Sequence, residues 1–146
     1  MSKTRKIINE LLVDLFNDIL EIEERALREK QVTDLSMSEI HTIEAIGCGA
    51  LRTMSEIAEQ LRITLGTLTT AINRLVKKGY VDRLRSESDR RIVFAKLTEK
   101  GEEVFRKHEE FHDEMIEKMV AGLKLDEDRL LIESLEKLQK FFRTKI

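Results

Sequence analysis

Residues 54–78, MSEIAEQLRITLGTLTTAINRLVKK, followed by residues 79–101, GYVDRLRSESDRRIVFAKLTEKG, decide how this chain folds. Ile57, Ala58 and Leu61 lie at helical spacing up to the break at Arg62, so a helix runs from about Thr53 to Leu61. Thr64 is placed to cap the next helix, Leu65 to Lys78, whose inward stripe is Leu68, Ile72, Leu75 and Val76 and whose stop signal is Gly79. Tyr80, Val81 and Leu84 then lead into the polar turn SESDRR, and Ile92, Phe94 and Leu97 lead out of it. This is the chain's one strand signal, and it predicts a hairpin of two short strands. A helix, a short turn, a second helix and a two-stranded hairpin make a winged helix-turn-helix. In that motif the second helix enters the major groove of DNA with its first residues against the base edges.

Outward from this segment the signals are helical. Ile7, Ile8, Leu11, Leu12, Leu15, Phe16, Ile19 and Leu20 make residues 4–29 one long amphipathic helix, longer than a small domain needs. Ser36 or Ser38 caps a second helix carrying Ile40, Ile43 and Ile46, which the glycines at 47 and 49 end. After the hairpin, Thr98–Lys100 opens a fifth helix with Val104, Phe105, His108, Phe111, His112, Met115 and Met119 along one side. A sixth, capped by Asp126, carries Leu130, Leu131, Leu135, Leu138, Phe141 and Phe142. The fold class expected is therefore mainly α: six helices and one β-hairpin wing. Residues 1–146 form a single domain, 36–100 its DNA-binding region, and 1–35 and 101–146 its long dimerisation helices.

Composition bounds the function. Of 146 residues 37% are charged and 41% hydrophobic, with no proline or tryptophan and one cysteine, which excludes a disordered chain and a disulfide scaffold. No apolar run approaches the roughly 20 residues of a membrane span, and acids interrupt the apolar stretch of MSKTRKIINELLVDLF, so no signal peptide or membrane partner is expected and the reading is cytoplasmic. The net charge of −2 conceals an asymmetry: Arg52–Lys100 holds eleven basic and six acidic residues, net +5, and the flanks are net −7. A basic middle in an acidic chain is the layout of a small nucleic-acid reader, because only the surface that meets phosphates needs cations.

The candidate DNA contacts follow. Thr64, Leu65, Gly66, Thr67, Thr69, Thr70, Asn73 and Lys77 lie at the tip or on the outward face of the second helix of the pair. Threonine hydroxyls suit base edges or phosphate oxygens, and their methyls suit thymine. Four threonines in seven residues cost helix propensity, which argues for a contact role over a merely exposed helix. At the hairpin tip, Asp89, Arg90 and Arg91 are placed to put a guanidinium into the minor groove, with the carboxylate holding the fork. Arg83 and Arg85 suit phosphates. Ala58 sits where the two helices must approach closely, and Arg62 stands where such turns commonly carry glycine.

The stretch from MSEIAEQL through ITLGTLTTAINRLVKKGYVDRLRSESDRRIVFAKLTEKG resembles the MarR family of bacterial transcription regulators, including the wing signature Asp89-x-Arg91 followed by Leu97-Thr98. Within the family, FNDILEIEE, EIHTIEAIG, ITLGTLTT and RSESDRR resemble the subgroup that represses fatty-acid-biosynthesis genes. The resemblance implies a homodimer on a palindromic double-stranded DNA operator, with recognition helices roughly 34 Å apart. The apolar surface of the first and last helices, more than one wing domain can cover, points to a dimer independently. The subgroup implies an acylated acyl carrier protein as corepressor and no metal cofactor. Its acyl chain is placed against an effector pocket of Phe16, Ile43 and Phe111.

Other chemistries compete for some of these residues. His108 and His112, with His41 on the second helix and Glu24 on the first, are placed to converge as a closed four-ligand zinc site, and the three histidines occupy positions resembling those of the family's zinc-uptake repressors, which implies a zinc-responsive repressor. The run His108-Glu109-Glu110-Phe111-His112 also matches the HExxH pattern of zinc proteases, but it follows a DNA-reading wing and lacks a signalled third ligand, so no enzyme is expected. A plain protein-interaction module would need no basic tip. Cys48 reads as a small buried hydrophobe rather than an oxidation sensor, since no adjacent base or histidine is signalled.

Overall fold

The computed structural model describes residues 2–146. Its elements, in chain order, are α1 (Lys3–Glu29), α2 (Met37–Ile46), β1 (Arg52–Thr53), α3 (Met54–Leu61), α4 (Leu65–Lys78), β2 (Val81–Arg85), β3 (Val93–Leu97), α5 (Glu99–Leu123) and α6 (Arg129–Arg143). A single 3-10 turn at Leu125–Glu127 precedes α6. The described residues gather into two compact units, one up to Glu109 and the other Glu110–Ile146.

In the first unit the helix boundaries follow from their caps. Ser36 and Glu39 form a capping box at α2, and Thr53 and Glu56 form another at α3, each pair satisfying two backbone amides that helix starts otherwise orphan. Thr64 caps α4, accepting from the Thr67 amide at 3.1 Å, and Gly79 ends it at φ +87°. The turn between α3 and α4 places Arg62 in the left-handed region at φ +57°, so an arginine adopts the conformation that glycine usually supplies there. Ile40, Ile43, Ile46, Ile57, Leu68, Ile72, Leu75 and Val81 are wholly buried, and together they form the core that fixes α4 against α2 and α3. Ala58 is buried at the close approach of the helix pair.

The sheet departs from expectation in two ways. It has three strands, ordered β1-β3-β2, because Arg52 and Thr53 pair with Ala95 and Phe94. A two-residue strand carries no alternation to read. Along β3 Ala95 and Leu97 are buried and Val93 and Phe94 half-buried, while Ile92 stays exposed before the strand begins. The antiparallel β2–β3 register runs from Val81↔Leu97 to Arg85↔Val93, leaving residues 86–92 as the wing turn.

In the second unit the end of α5, the 3-10 turn and α6 enclose an apolar groove of about 220 Å³ lined by Ile116, Met119, Leu125, Leu131, Ile132 and Leu135. The cap of α6 is Asp128, which accepts from the Leu131 amide at 3.0 Å, and not Asp126, because the 3-10 turn takes up residues 125–127 first. Large apolar side chains stay exposed on both units: Ile8, Leu11, Leu15 and Phe16 on α1, and Leu130, Leu135, Phe141 and Phe142 on α6.

Candidate nucleic-acid interface

The core stripe of α4 turns its opposite face to solvent, and that face carries Gly66, Thr70, Asn73 and Lys77, with Leu65 52% exposed at the tip. Thr67 is exposed beside them, and Thr69 is half-buried toward the wing. The threonine hydroxyls are bonded locally: Thr69 donates to the Leu65 carbonyl at 2.8 Å, Thr70 to the Gly66 carbonyl at 3.2 Å, and Thr64 and Thr67 share a hydroxyl hydrogen at 2.8 Å. Asn73 Oδ1 accepts from the Arg83 guanidinium, which ties α4 to β2.

At the wing tip Asp89 grips Arg91 with both oxygens. Oδ1 accepts from the Arg91 amide and Nε, and Oδ2 from a terminal nitrogen, all at 3.1 Å. These bonds hold the Asp89 carboxyl below its ordinary pKa. The Arg91 side chain is nonetheless 91% exposed, so its fork is oriented without being covered. Arg85 donates to the Arg90 carbonyl at 3.3 Å across the turn, and Arg90 itself is exposed. Between α4 and the wing lies a cleft of about 350 Å³, lined by Met54, Leu65 and Ile92 on its apolar side and by Thr69, Arg83 and Arg91 on its polar side. Nothing in the sequence periodicity announced it, because it forms only where three separate segments meet.

The far end of α4 is anchored. Lys78 Nζ donates to the Asp34 carbonyl at 2.6 Å and to the Glu39 carboxylate at 2.9 Å, and the Tyr80 hydroxyl donates to Asp34 at 2.6 Å. Burial alone would raise the Glu39 pKa, but the bonds from Lys78 and Ser36 outweigh it and hold the carboxyl below its usual value. Burial pushes the Tyr80 phenol up, and its bond to Asp34 adds to the shift. Thr98 joins two elements: its hydroxyl donates to the Gly79 carbonyl at 2.6 Å and accepts from the Gly101 amide at 3.2 Å.

A second cluster joins α1, α2 and α5. His108, 3% exposed, donates from Nε2 to Glu23 Oε1 at 2.6 Å, and its Nδ1 faces Glu44 at 3.5 Å. His41 Nε2 stands 4.0 Å from the same Glu23 oxygen. Glu23, His41 and His108 thus offer three ligand atoms within 4.8 Å of one another. The carboxylate here is Glu23 and not Glu24, since neighbouring helix positions point about 100° apart. Glu24 instead borders a cavity of about 320 Å³ with Leu27, Arg28 and Val32. His112, one turn along α5, meets the Phe111 ring at 5.4 Å.

The effector pocket expected from Phe16, Ile43 and Phe111 needs correcting. Ile43 is 0% exposed within the core of the winged unit and Phe16 is 64% exposed on α1, so these two share no binding surface; Phe111 is buried. Ile43 sits on the same helical stripe as Ile40 and Ile46, and that stripe is core. Cys48 is exposed, and burial of its sulfur and the nearby Glu102 carboxylate raise its thiol pKa, the opposite of a reactive cysteine.

The comparisons agree with this geometry. The MarR family profile matches residues 35–93. The multiple antibiotic resistance protein MarR of Escherichia coli is 30% identical over 126 residues, 78% of this chain and 88% of that protein. The chain belongs to the MarR family. Another relative, the HTH-type transcriptional regulator BilQ of Clostridium symbiosum, is 29% identical and covers 77% of this MarR-family chain. Among solved structures, Streptococcus pneumoniae FabT in complex with DNA superposes with a TM-score of 0.91 at 41% identity, over 97% of this chain and 99% of FabT. A mutant E. coli MarR bound to operator DNA superposes at 0.69 with 26% identity, over 94% and 99%. The family and these relatives are transcriptional regulators and not enzymes, so His108 and His112 do not form a protease centre. Among the described residues no helix is long and apolar enough to cross a membrane.

Proposed function

We propose that this chain is a homodimeric transcriptional repressor that reads a palindromic DNA operator with α4 and the wing, and that it controls fatty-acid-biosynthesis genes with an acylated acyl carrier protein as corepressor. The observation that carries the DNA reading is the pairing of an exposed α4 face with the Asp89-gripped Arg91 at the wing tip. Arg91 enters the minor groove, Arg83 and Arg85 meet phosphates, and the anchors of Lys78 and Tyr80 hold the helix against the reaction force of binding. The exposed apolar residues of α1 and α6 support dimerisation, since a soluble monomer rarely leaves so many large side chains uncovered. The likeness to FabT supports the fatty-acid assignment.

A corepressor acts by binding more tightly to the dimer whose two winged units are spaced for the operator. The test is a titration on the chain's own promoter and on a fatty-acid-biosynthesis promoter, with and without a long-chain acyl carrier protein. Tightening by the acylated carrier alone supports the reading, and an unchanged affinity refutes the corepressor.

A second reading rests on the cluster of Glu23, His41 and His108. One carboxylate and two imidazoles are zinc's preferred donors, and a metal would replace the Glu23–His108 hydrogen bond with coordination. Zinc would tie α1, α2 and the start of α5 together within the winged unit. Operator affinity that rises with zinc and falls with chelator, and no longer responds in His108→Ala, would support a zinc-responsive repressor.

A further inference from the structure

The face of α4 that would meet DNA is poor in donors. Between Ile63 and Asn73 there is no lysine or arginine, and the helix's first cations are Arg74 and Lys77, more than two turns from its start. Guanine is most often read by lysine or arginine donating to O6 and N7, so the tip lacks the usual guanine reader. The Thr69 and Thr70 hydroxyl hydrogens are committed to the carbonyls of Leu65 and Gly66, and one hydrogen between Thr64 and Thr67 is spent within the pair. What Thr70 then offers a groove is a methyl group and acceptor lone pairs. Phosphate oxygens are acceptors too, so these hydroxyls reach a phosphate only by giving up an internal bond. Asn73 has its carbonyl oxygen occupied by Arg83, and therefore cannot make the two-bond contact that reads adenine while that tie lasts. Leu65 adds an exposed apolar side chain at the tip, and the open space around the Gly66 Cβ position lets the backbone approach closely.

We infer that, in the DNA-reading function proposed above, the tip of α4 selects thymine through its C5-methyl group, with Leu65 and Thr70 as the specificity-determining contacts and the arginines of the wing supplying affinity. Thymine is the one base that presents a methyl in the major groove, and a methyl is what this surface can recognise without rearranging.

The experiment uses the full-length protein and duplexes selected by it from a random-sequence pool. Thymines of the selected site are replaced one at a time by deoxyuridine, which keeps every hydrogen bond and removes only the methyl. Loss of affinity by about fourfold per contacted methyl, matching burial of one methylene, is expected at equivalent positions of both half-sites. Thr70→Ser should abolish the thymine preference at one such position while binding the deoxyuridine duplex as the unmodified protein does, and Thr70→Val should retain it. Leu65→Ala should abolish the preference at a neighbouring position. Enrichment of a specific site whose affinity ignores every deoxyuridine substitution, or a preference untouched by both Thr70→Ser and Leu65→Ala, overturns the thymine inference and leaves the DNA reading intact. Failure to enrich any sequence over bulk DNA overturns both.

Discussion

Replacing His108 with leucine is the substitution whose cost the structure fixes best. The Glu23 side chain is 5% exposed, and its Oε1 accepts from His108 Nε2 at 2.6 Å. Leucine fills much of the imidazole's space, so little of the cost is cavity. The cost is the loss of the His108 bond to a buried carboxylate, and breaking a buried pair of this kind typically destabilises by about 3–5 kcal/mol. His41, 4.0 Å from the same oxygen and 43% exposed, is able to move inward and recover part of this, which places the expectation near 3 kcal/mol. The double variant Glu23→Leu/His108→Leu removes both polar partners at once and should be less destabilised than His108→Leu alone by about 1 kcal/mol or more. Denaturant unfolding of the wild type and the variants, in chelator and at fixed protein concentration because a dimer's stability depends on it, measures this directly. A His108→Leu penalty below about 1 kcal/mol, or a double variant whose penalty equals the sum of the single ones, would refute the argument that this pair is a mutually dependent buried unit. Repeating the wild-type measurement with zinc separates the two uses of the cluster: a resident metal raises the midpoint with zinc concentration, and a purely protein-made clamp does not.

Three further outcomes are expected. Arg91→Ala should weaken operator binding by about 1–3 kcal/mol in a fluorescence titration, and Asp89→Asn should weaken it less while leaving Arg91 in place. Gly101→Ala should destabilise by about 3 kcal/mol, because a Cβ there would stand 2.1 Å from the Tyr80 carbonyl oxygen and 3.3 Å from Leu97 Cβ, none of it a flexible chain end; thermal unfolding measures it. Lys78→Met should cost about 1 kcal/mol at neutral pH. Since the folded Glu39 pKa lies below its unfolded value, the difference from wild type is present above that unfolded value and should shrink as pH falls through the folded one, as pH-dependent unfolding would show.

Much of this molecule was legible in its sequence, for identifiable reasons. The α4 boundaries could be placed because Thr64 and Gly79 are unambiguous punctuation, and the long α1 because its apolar spacing is unbroken. Asp89 and Arg91 were readable as a pair because a single residue separates them, close enough for local geometry to bring them together. The misses were longer in range or finer in grain. The choice of Glu23 over Glu24 depends on the helical phase of α1, which the exposed half of that helix does not fix. Ile43 was assigned to a pocket because apolar periodicity marks burial and does not distinguish a core from a ligand cavity. The contacts of Lys78 with Asp34 and Glu39 span more than thirty residues and leave no sequence pattern.

The bridging hydroxyl of Thr98 limits where the protein can flex. With Gly79 and Gly101 held by one side chain, and Gly101 packed too tightly against Tyr80 to swing, the end of the recognition helix, the wing and the first turn of α5 behave as one lever arm. Any signal that respaces two such arms must enter downstream along α5 or through the residue 30–36 loop. Probes on Asn73 and Glu103 should therefore keep a constant separation while probes on the two wings of a dimer change theirs.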